Sequence, residues 1–276
     1  MSGESRAALL EGAPQAELRP AMEAYYARYY RDQLGLQDWP RRVAARLEEE
    51  AVFGDRMITM IEQWLNYDFR DKRVLVVGSG TGAELLTLHQ RSAEVWGIDP
   101  NPEACAICET KAALAGLPRE RIKAGVAEAI PFDTETFDFV YCYTVLEHVG
   151  NVDASIREMI RVCRPGGRIF IETPDYRVPY EEHYKLFLPT FLPRIMQKWF
   201  LKLRGRPTAF FDSLQLVTAP RLLHIFQESP VITFRVYHDH RKNFAREKPL
   251  QWFLNAKLGI IRNQRYFLYR LPERRS

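Results

Sequence analysis

Between residues 73 and 173, short apolar runs alternate with stretches of helical periodicity. That rhythm restricts the fold more than any other feature of the chain. RVLVVG (73–78), AEVWGID (93–99), RIKAGV (121–126), DFVYCY (138–143) and RIFIET (168–173) have the length and β-branched content of strands. GAELLTLHQRS, PEACAICETKAALAG and NVDASIREMIRVC have helical spacing. Strands apolar on both faces and separated by single helices build a parallel sheet covered on both sides. VITFRVY (231–237) and RYFLYRL (265–271) add two more strands, linked through a helical PLQWFLNAKLG. An antiparallel arrangement there closes an otherwise open sheet edge.

Outside this core the pattern changes. The first fifteen or so residues are expected to fray, and helices follow from about Glu17, through AMEAYYARYYRDQ and then WPRRVAARLEEEAVFGDRMITMIEQWL, with a break at Pro40. After residue 174 an aromatic-rich helix is expected between about 192 and 203, and Thr218 is expected to cap a helix over TAPRLLHIFQES, with Pro220 in its first turn. The chain therefore divides into an N-terminal helical segment (1–67), an alternating strand–helix core (68–175), an inserted helical segment (176–230) and C-terminal strands that complete the sheet (231–276).

A length of 276 residues accommodates one large core plus a modest lobe, and a formal net charge of +4 with 46% hydrophobic residues is that of a globular chain. No apolar run approaches the length of a membrane span. MSGESRAALLEGAPQ has no basic start followed by an apolar stretch, and the four cysteines make no disulfide framework, so a reducing, cytoplasmic setting is expected. Cys105 and Cys108 form a CxxC inside a helix with no second pair to match, and they read as packing residues.

VLVVGSGTGAE (74–84) joins the first strand to its helix through Gly78, Ser79, Gly80 and Gly82. Glycines at these places let the chain turn tightly and bring its backbone close to a ligand. Asp99 ends the next strand, where a carboxylate accepts both hydroxyls of a ribose, and Pro100 follows it. A phosphate loop is excluded because no Lys-Ser/Thr follows the glycines. A nicotinamide dinucleotide and a smaller nucleoside cofactor both remain compatible with these residues.

The tie is broken downstream. Taken together, VLVVGSGTG, Asp99, AGVAEAIPFDTETFDFVYCYTVLEHV (124–149) and RVCRPGGRIFIETP resemble the class I S-adenosylmethionine-dependent methyltransferases, in particular their type-11 small-molecule branch, over roughly residues 68–175. The resemblance implies a Rossmann-like, mostly parallel seven-stranded sheet with an antiparallel final strand, N-terminal helices and an inserted helical cap. It also implies S-adenosyl-L-methionine as cofactor. The glycine loop would wrap the methionine part and Asp99 the ribose, while Ala127, Glu128 and Ile130 would lie near the adenine. Tyr143 would approach the methionine and the transferring methyl. A leading helix that lids the cofactor would use Tyr26 and Tyr30. The competing readings are an NAD-dependent oxidoreductase and a non-catalytic cofactor-binding protein.

Methyl transfer to an alcohol needs alignment and a base, and no covalent residue. The candidate bases are His148, beside Glu147 in the resembling motif, and His183 in PYEEHY, with Glu182 placed to orient its ring. His183 lies in the substrate-facing segment and is expected to matter more; Asp175 and Tyr176 join it as acceptor-binding residues at the fifth strand's end. Quinone O-methyltransferases resembling this chain hold a divalent metal with the help of an acid where Thr144 stands, so no metal is expected here. From residue 231 onward eleven Lys/Arg face three Asp/Glu, and PRIMQKWFLKLRG sets apolar positions at helical spacing among basic ones. A cap closing over a small-molecule or glycan-like acceptor, acidic or partly apolar, accounts for that composition, as does peripheral membrane contact. The basic residues form no recognised nucleic-acid module, and none is expected as partner.

Overall fold

The computed structural model describes residues 13–237 and 263–272. Helices α1 (Ala13–Ala27) and α2 (Trp39–Leu65) flank a π-helical turn, Arg28–Gln33. Pro40 sits in the first turn of α2, where its missing N–H costs nothing, and Asn66 ends that helix in the left-handed conformation. The core follows as β1 (Arg73–Val77), α3 (Ala83–His89), β2 (Glu94–Asp99), α4 (Pro102–Leu114), β3 (Ile122–Ala124), β4 (Phe137–Tyr143), α5 (Val152–Val162) and β5 (Cys163–Pro174). A hairpin of β6 (Tyr180–Glu181) and β7 (Leu186–Phe187), then α6 (Arg194–Leu203), α7 (Ala209–Ser213) and α8 (Ala219–Glu228), separate β5 from β8 (Ile232–Tyr237) and β9 (Asn263–Arg270).

The seven-stranded sheet runs β3-β2-β1-β4-β5-β9-β8, with β9 antiparallel to both of its neighbours and the other pairings within β1–β5 parallel. This is the Rossmann-like sheet with an antiparallel final strand that the sequence resemblance implies. After β1 the chain moves outward to β2 and β3, then crosses back to β4 on the other side. The carboxyl ends of β1 and β4 consequently border a crevice, as at any switch point of an open α/β sheet.

Strand alternation divides the core in two. Val74, Val76, Phe139 and Tyr141 face α2, α3 and α4, whereas Leu75, Val77, Val140 and Cys142 face α5 and α8. α5 shows why such a segment folds as a helix. Val152, Ile156, Met159 and Ile160 form its buried stripe, and the Asn151 side chain caps it by accepting the Ala154 N–H at 3.0 Å. Cys105 and Cys108 are free and buried on α4, with their thiols pushed up to about 11 and about 12 by burial. Thr218 occupies the N-cap of α8, yet its side chain makes no capping bond.

A separate small core joins Leu34 and Leu36 of the N-terminal segment to Tyr184, Leu188, Leu201, Phe211 and Leu214. The N-terminal helices and the segment between β5 and β8 thus pack on each other beside the sheet. The helix expected over PLQWFLNAKLG and residues 1–12 of the opening segment lie outside the described residues, whereas residues 13–15, also expected to fray, already belong to α1.

Candidate active site

A cavity of ≈ 590 Å³ opens at the carboxyl ends of β1, β2 and β4. Its floor is the turn after β1. Gly78, Gly80 and Gly82 have φ of +70°, +50° and +92°, a region side-chain-bearing residues rarely enter. The space around them differs. A Cβ on Gly82 would stand 2.7 Å from Cys108 Sγ, so α4 packs against that glycine; a Cβ on Gly80 would meet nothing within 4 Å. Gly80 is thus the bare point of the loop.

Asp99 holds the loop in place. One carboxylate oxygen accepts the Gly80 N–H at 2.8 Å and the other the Asn101 N–H at 2.9 Å. Burial nevertheless raises its pKa. Each oxygen retains acceptor capacity for a ligand hydroxyl. Beneath the loop, Thr81 Oγ1 lies 2.8 Å from the Tyr26 hydroxyl and donates to Glu50 at 2.5 Å, and Lys111 pairs with Glu50 at 2.7 Å. The nearby Ser79 hydroxyl is buried without a hydrogen-bond partner among the described residues.

Of the predicted cofactor residues, Gly78, Ser79, Gly80, Gly82, Asp99, Pro100, Ala127, Glu128 and Tyr143 line the cavity. Glu128 also pins the turn before α5, accepting the Gly150 N–H at 2.5 Å and the Asn151 N–H at 3.1 Å. Three expectations are corrected. Ile130 points into the core behind α5, and the exposed Val126 takes its place on the wall. Tyr26 and Tyr30 do not line the cavity; Tyr25 and Tyr29 do. Adjacent helical residues point about 100° apart, so the tandem pairs YY at 25–26 and 29–30 offer two faces with one spacing.

Arg46 was not legible in RRVAARLEEE. It projects from α2 into the cavity wall, its guanidinium 5.5 Å from the Tyr26 ring centroid. Burial works against its charge, but Tyr26, Glu50 and Glu84 outweigh burial and hold the proton on. No local periodicity distinguishes Arg46 from its neighbouring arginines.

His148 lines the cavity, while His183 stands behind it, with ring centroids 5.0 Å apart. His183 Nδ1 is 2.6 Å from Glu181 Oε1; the partner is Glu181, where the sequence suggested Glu182. Burial and the facing His183 lower His148 to about 4, so its imidazole is neutral at ordinary pH. For His183 burial acts downward, but the Glu181 carboxylate prevails and the pKa rises. Asp175 and Tyr176 are buried away from the cavity. Asp175 pairs with Arg177 at 2.6 Å, and the Tyr176 hydroxyl donates to Glu181 at 3.4 Å. Among described residues of 176–230, Phe210 is what reaches the cavity wall.

Glu147 is fully buried. One oxygen accepts from Thr173 at 3.1 Å; the other has no hydrogen bond among the described residues and lies 3.9 Å from His148 Nε2. Desolvation pushes its carboxyl up to about 7, from an ordinary 4.5. A raised carboxyl pKa adds stability that is complete below the unfolded value and lost as pH climbs through the folded one. That difference corresponds to roughly 3 kcal/mol at most. Glu147→Gln is therefore expected to raise Tm at pH 8.5 and to leave it nearly unchanged at pH 4.5. An equal change at both pH values would mean that burial of the charge is not the cause. The sequence expectation of no metal turned on Thr144; here Glu147, His148 and His183 each offer a ligand atom within 4.8 Å of the others.

These surroundings suit the sulfonium nucleoside that the sequence resemblance implies. A bare loop point at Gly80, an orphaned Ser79 hydroxyl, spare acceptor capacity on Asp99 and a charged Arg46 match its amino acid and ribose. Val126 and Ala127 offer an apolar wall to a base.

Residues 75–171 match the family model described as "Methyltransferase domain". Over 116 residues the chain is 33% identical to the sterol 4-C-methyltransferase strm-1 of Caenorhabditis elegans, covering 40% of this chain and 35% of that protein. Over 105 residues it is 35% identical to a ubiquinone biosynthesis O-methyltransferase of Pseudomonas fluorescens (strain SBW25), covering 37% of this chain and 44% of that one. The chain thus spans less than half the length of either relative. A putative sarcosine dimethylglycine methyltransferase from Galdieria sulphuraria superposes with a TM-score of 0.54 at 15% identity, over 80% of this chain and 86% of the other. The [4+2]-cyclase SpnF superposes with a TM-score of 0.52 at 20% identity, over 79% and 82%. These two likenesses concern the fold alone, and a cyclase among them shows that the fold does not name the reaction.

Proposed function

We infer that this chain, whose residues 75–171 form a class I S-adenosylmethionine-dependent methyltransferase domain, transfers a methyl group from S-adenosylmethionine to a hydroxyl oxygen of a small-molecule acceptor. One observation carries the reading: a single cavity is walled both by the Gly80–Asp99 cradle and by a neutral histidine, His148. The bound donor supplies an electrophilic methyl on a charged sulfur. The chain supplies position. Asp99 takes the ribose hydroxyls, Arg46 takes the donor's carboxylate, and Tyr143 with Phe53, ring centroids 5.3 Å apart, forms an aromatic wall. His148 accepts the acceptor's proton on a free ring nitrogen. His183, held by Glu181, fixes the His148 ring through its edge-to-face contact.

Oxygen is favoured because a base borders the cavity, and because the Pseudomonas relative is named an O-methyltransferase. The nematode relative is named a C-methyltransferase, so the bonded atom needs its own measurement. Titration calorimetry should give binding of S-adenosylmethionine and its demethylated product, with no heat from NAD. Incubation of a metabolite extract with donor carrying a ¹³C methyl should then yield new signals at O-methyl chemical shifts. Binding of NAD alone would replace this reading with a dehydrogenase, and donor binding with no labelled product would leave a cofactor-binding protein. The same incubation with a chelator separates proton removal by His148, which survives, from metal assistance by the Glu147–His148–His183 group, which does not.

A further inference from the structure

Helix α6 turns its apolar stripe away from the protein. Ile195, Trp199 and Leu203, at i, i+4 and i+8, are 77%, 64% and 62% exposed, and Met196 beside them is 48% exposed. Phe191, 77% exposed, extends the stripe from the turn before the helix. The sequence alone left such residues to close over an acceptor or to meet a membrane surface, and none of them lines the cavity.

The helix cannot roll to hide them. Leu201 is buried on its inner face, and the buried Gln197 donates from Nε2 to the Thr190 and Leu192 carbonyls at 3.2 and 2.7 Å. Arg194 donates to the carbonyls of Phe211, Asp212 and Leu214 at the end of α7. The outward face is thus fixed by polar contacts on the inward one. Exposed aromatic and aliphatic side chains arranged this way are costly in water unless something covers them.

The charge around the stripe says what covers it. From Tyr184 to Phe211, 28 residues contain Lys185, Arg194, Lys198, Lys202, Arg204 and Arg206 and no Asp or Glu. Lys202 and Arg204 are exposed beside the apolar row. A second copy docking face to face would bring these cations against their own equivalents, a repulsive arrangement. A bilayer with anionic headgroups meets both demands at once, taking the apolar row into the acyl boundary and the cations at the phosphates. Tryptophan suits that boundary.

We propose that α6 docks this protein on an anionic lipid surface, with Phe191, Ile195, Trp199 and Leu203 inserted and Lys202 and Arg204 at the headgroups. Helix α6 lies in the interface and does not span it. Arg194 ties it to α7, whose Phe210 borders the cavity, so docking sets the cap side of the cavity toward lipid. The proposal does not depend on methyl transfer, because vesicle binding needs neither donor nor turnover.

Co-sedimentation of the full chain with phosphatidylcholine vesicles, with and without phosphatidylglycerol, tests it. The wild type is expected to pellet with phosphatidylglycerol vesicles and to be released by high salt. Ile195→Ser/Trp199→Ser is expected to lower the partition coefficient by about tenfold or more. Lys202→Glu/Arg204→Glu is expected to abolish the preference for anionic vesicles. These side chains lie outside the core, so Tm and donor binding should be unchanged in both variants. A wild type that stays in the supernatant with phosphatidylglycerol vesicles at low salt overturns the proposal. So does a wild-type dimer in light scattering that the serine variant converts to monomer, which would assign the face to a second copy.

Discussion

Asp99→Ala is expected to weaken S-adenosylmethionine binding about 100-fold or more in titration calorimetry, while Tm falls only modestly. Two losses combine. The ribose hydroxyls lose a charged acceptor, worth about 1.5–3 kcal/mol per hydrogen bond. The Gly80 and Asn101 N–H groups, held at 2.8 and 2.9 Å, lose the partner that shapes the loop. A deficit of about 2.8 kcal/mol already corresponds to a factor of 100. Asp99→Asn keeps one acceptor oxygen without the charge and is expected to fall between, at about tenfold. Unchanged donor affinity in the alanine variant would remove Asp99 from the site and with it the cradle on which the functional reading rests.

The parts of this protein that were legible beforehand are those in which one physical requirement fixes one residue type at one chain position. β1, β2, β4 and β5 are apolar runs, and α-helices join β1 to β2, β2 to β3 and β4 to β5, while β3 reaches β4 through residues 125–136 without one. Gly80 belongs to a turn that admits few substitutes, and Asp99 at the end of β2 holds that turn. What the sequence hid depends on rotation and on distant packing. Tyr25 and Tyr29 are separated by the same interval as Tyr26 and Tyr30, and the contacts made by the rest of the fold decide which pair faces the cavity. Arg46 reaches the site from α2, 34 residues before Gly80. Asp175 and Tyr176 do follow the carboxyl end of β5, as substrate residues would, but Arg177 and Glu181 engage them under the cap. The stripe of α6 has the periodicity of a core-facing helix, and Leu201, Gln197 and Arg194, held on the other side, turn it outward.

The two histidines give the second large effect, in an order opposite to the one their positions in the sequence suggest. His148→Ala is expected to lower kcat by about 10²–10³-fold at saturating donor, the range of a positioned base. His183→Ala is expected to cost only about tenfold, since His183 meets the ring of His148 and not the cavity. The pH profile distinguishes positioning from plain structural damage. With His148 pushed down to about 4 by burial and by the neighbouring imidazole, wild-type kcat/KM should show no inflection from this group near neutrality. Its base form is lost only on the acid side. Removing His183 takes away one of the two influences that depress His148 and leaves Glu181, which raises it. The acid limb of His183→Ala should therefore move to higher pH, with less activity than wild type at pH 5 and a smaller deficit at pH 8. A deficit constant across pH would reduce His183 to packing, and full activity in His148→Ala would transfer the proton to another acceptor altogether.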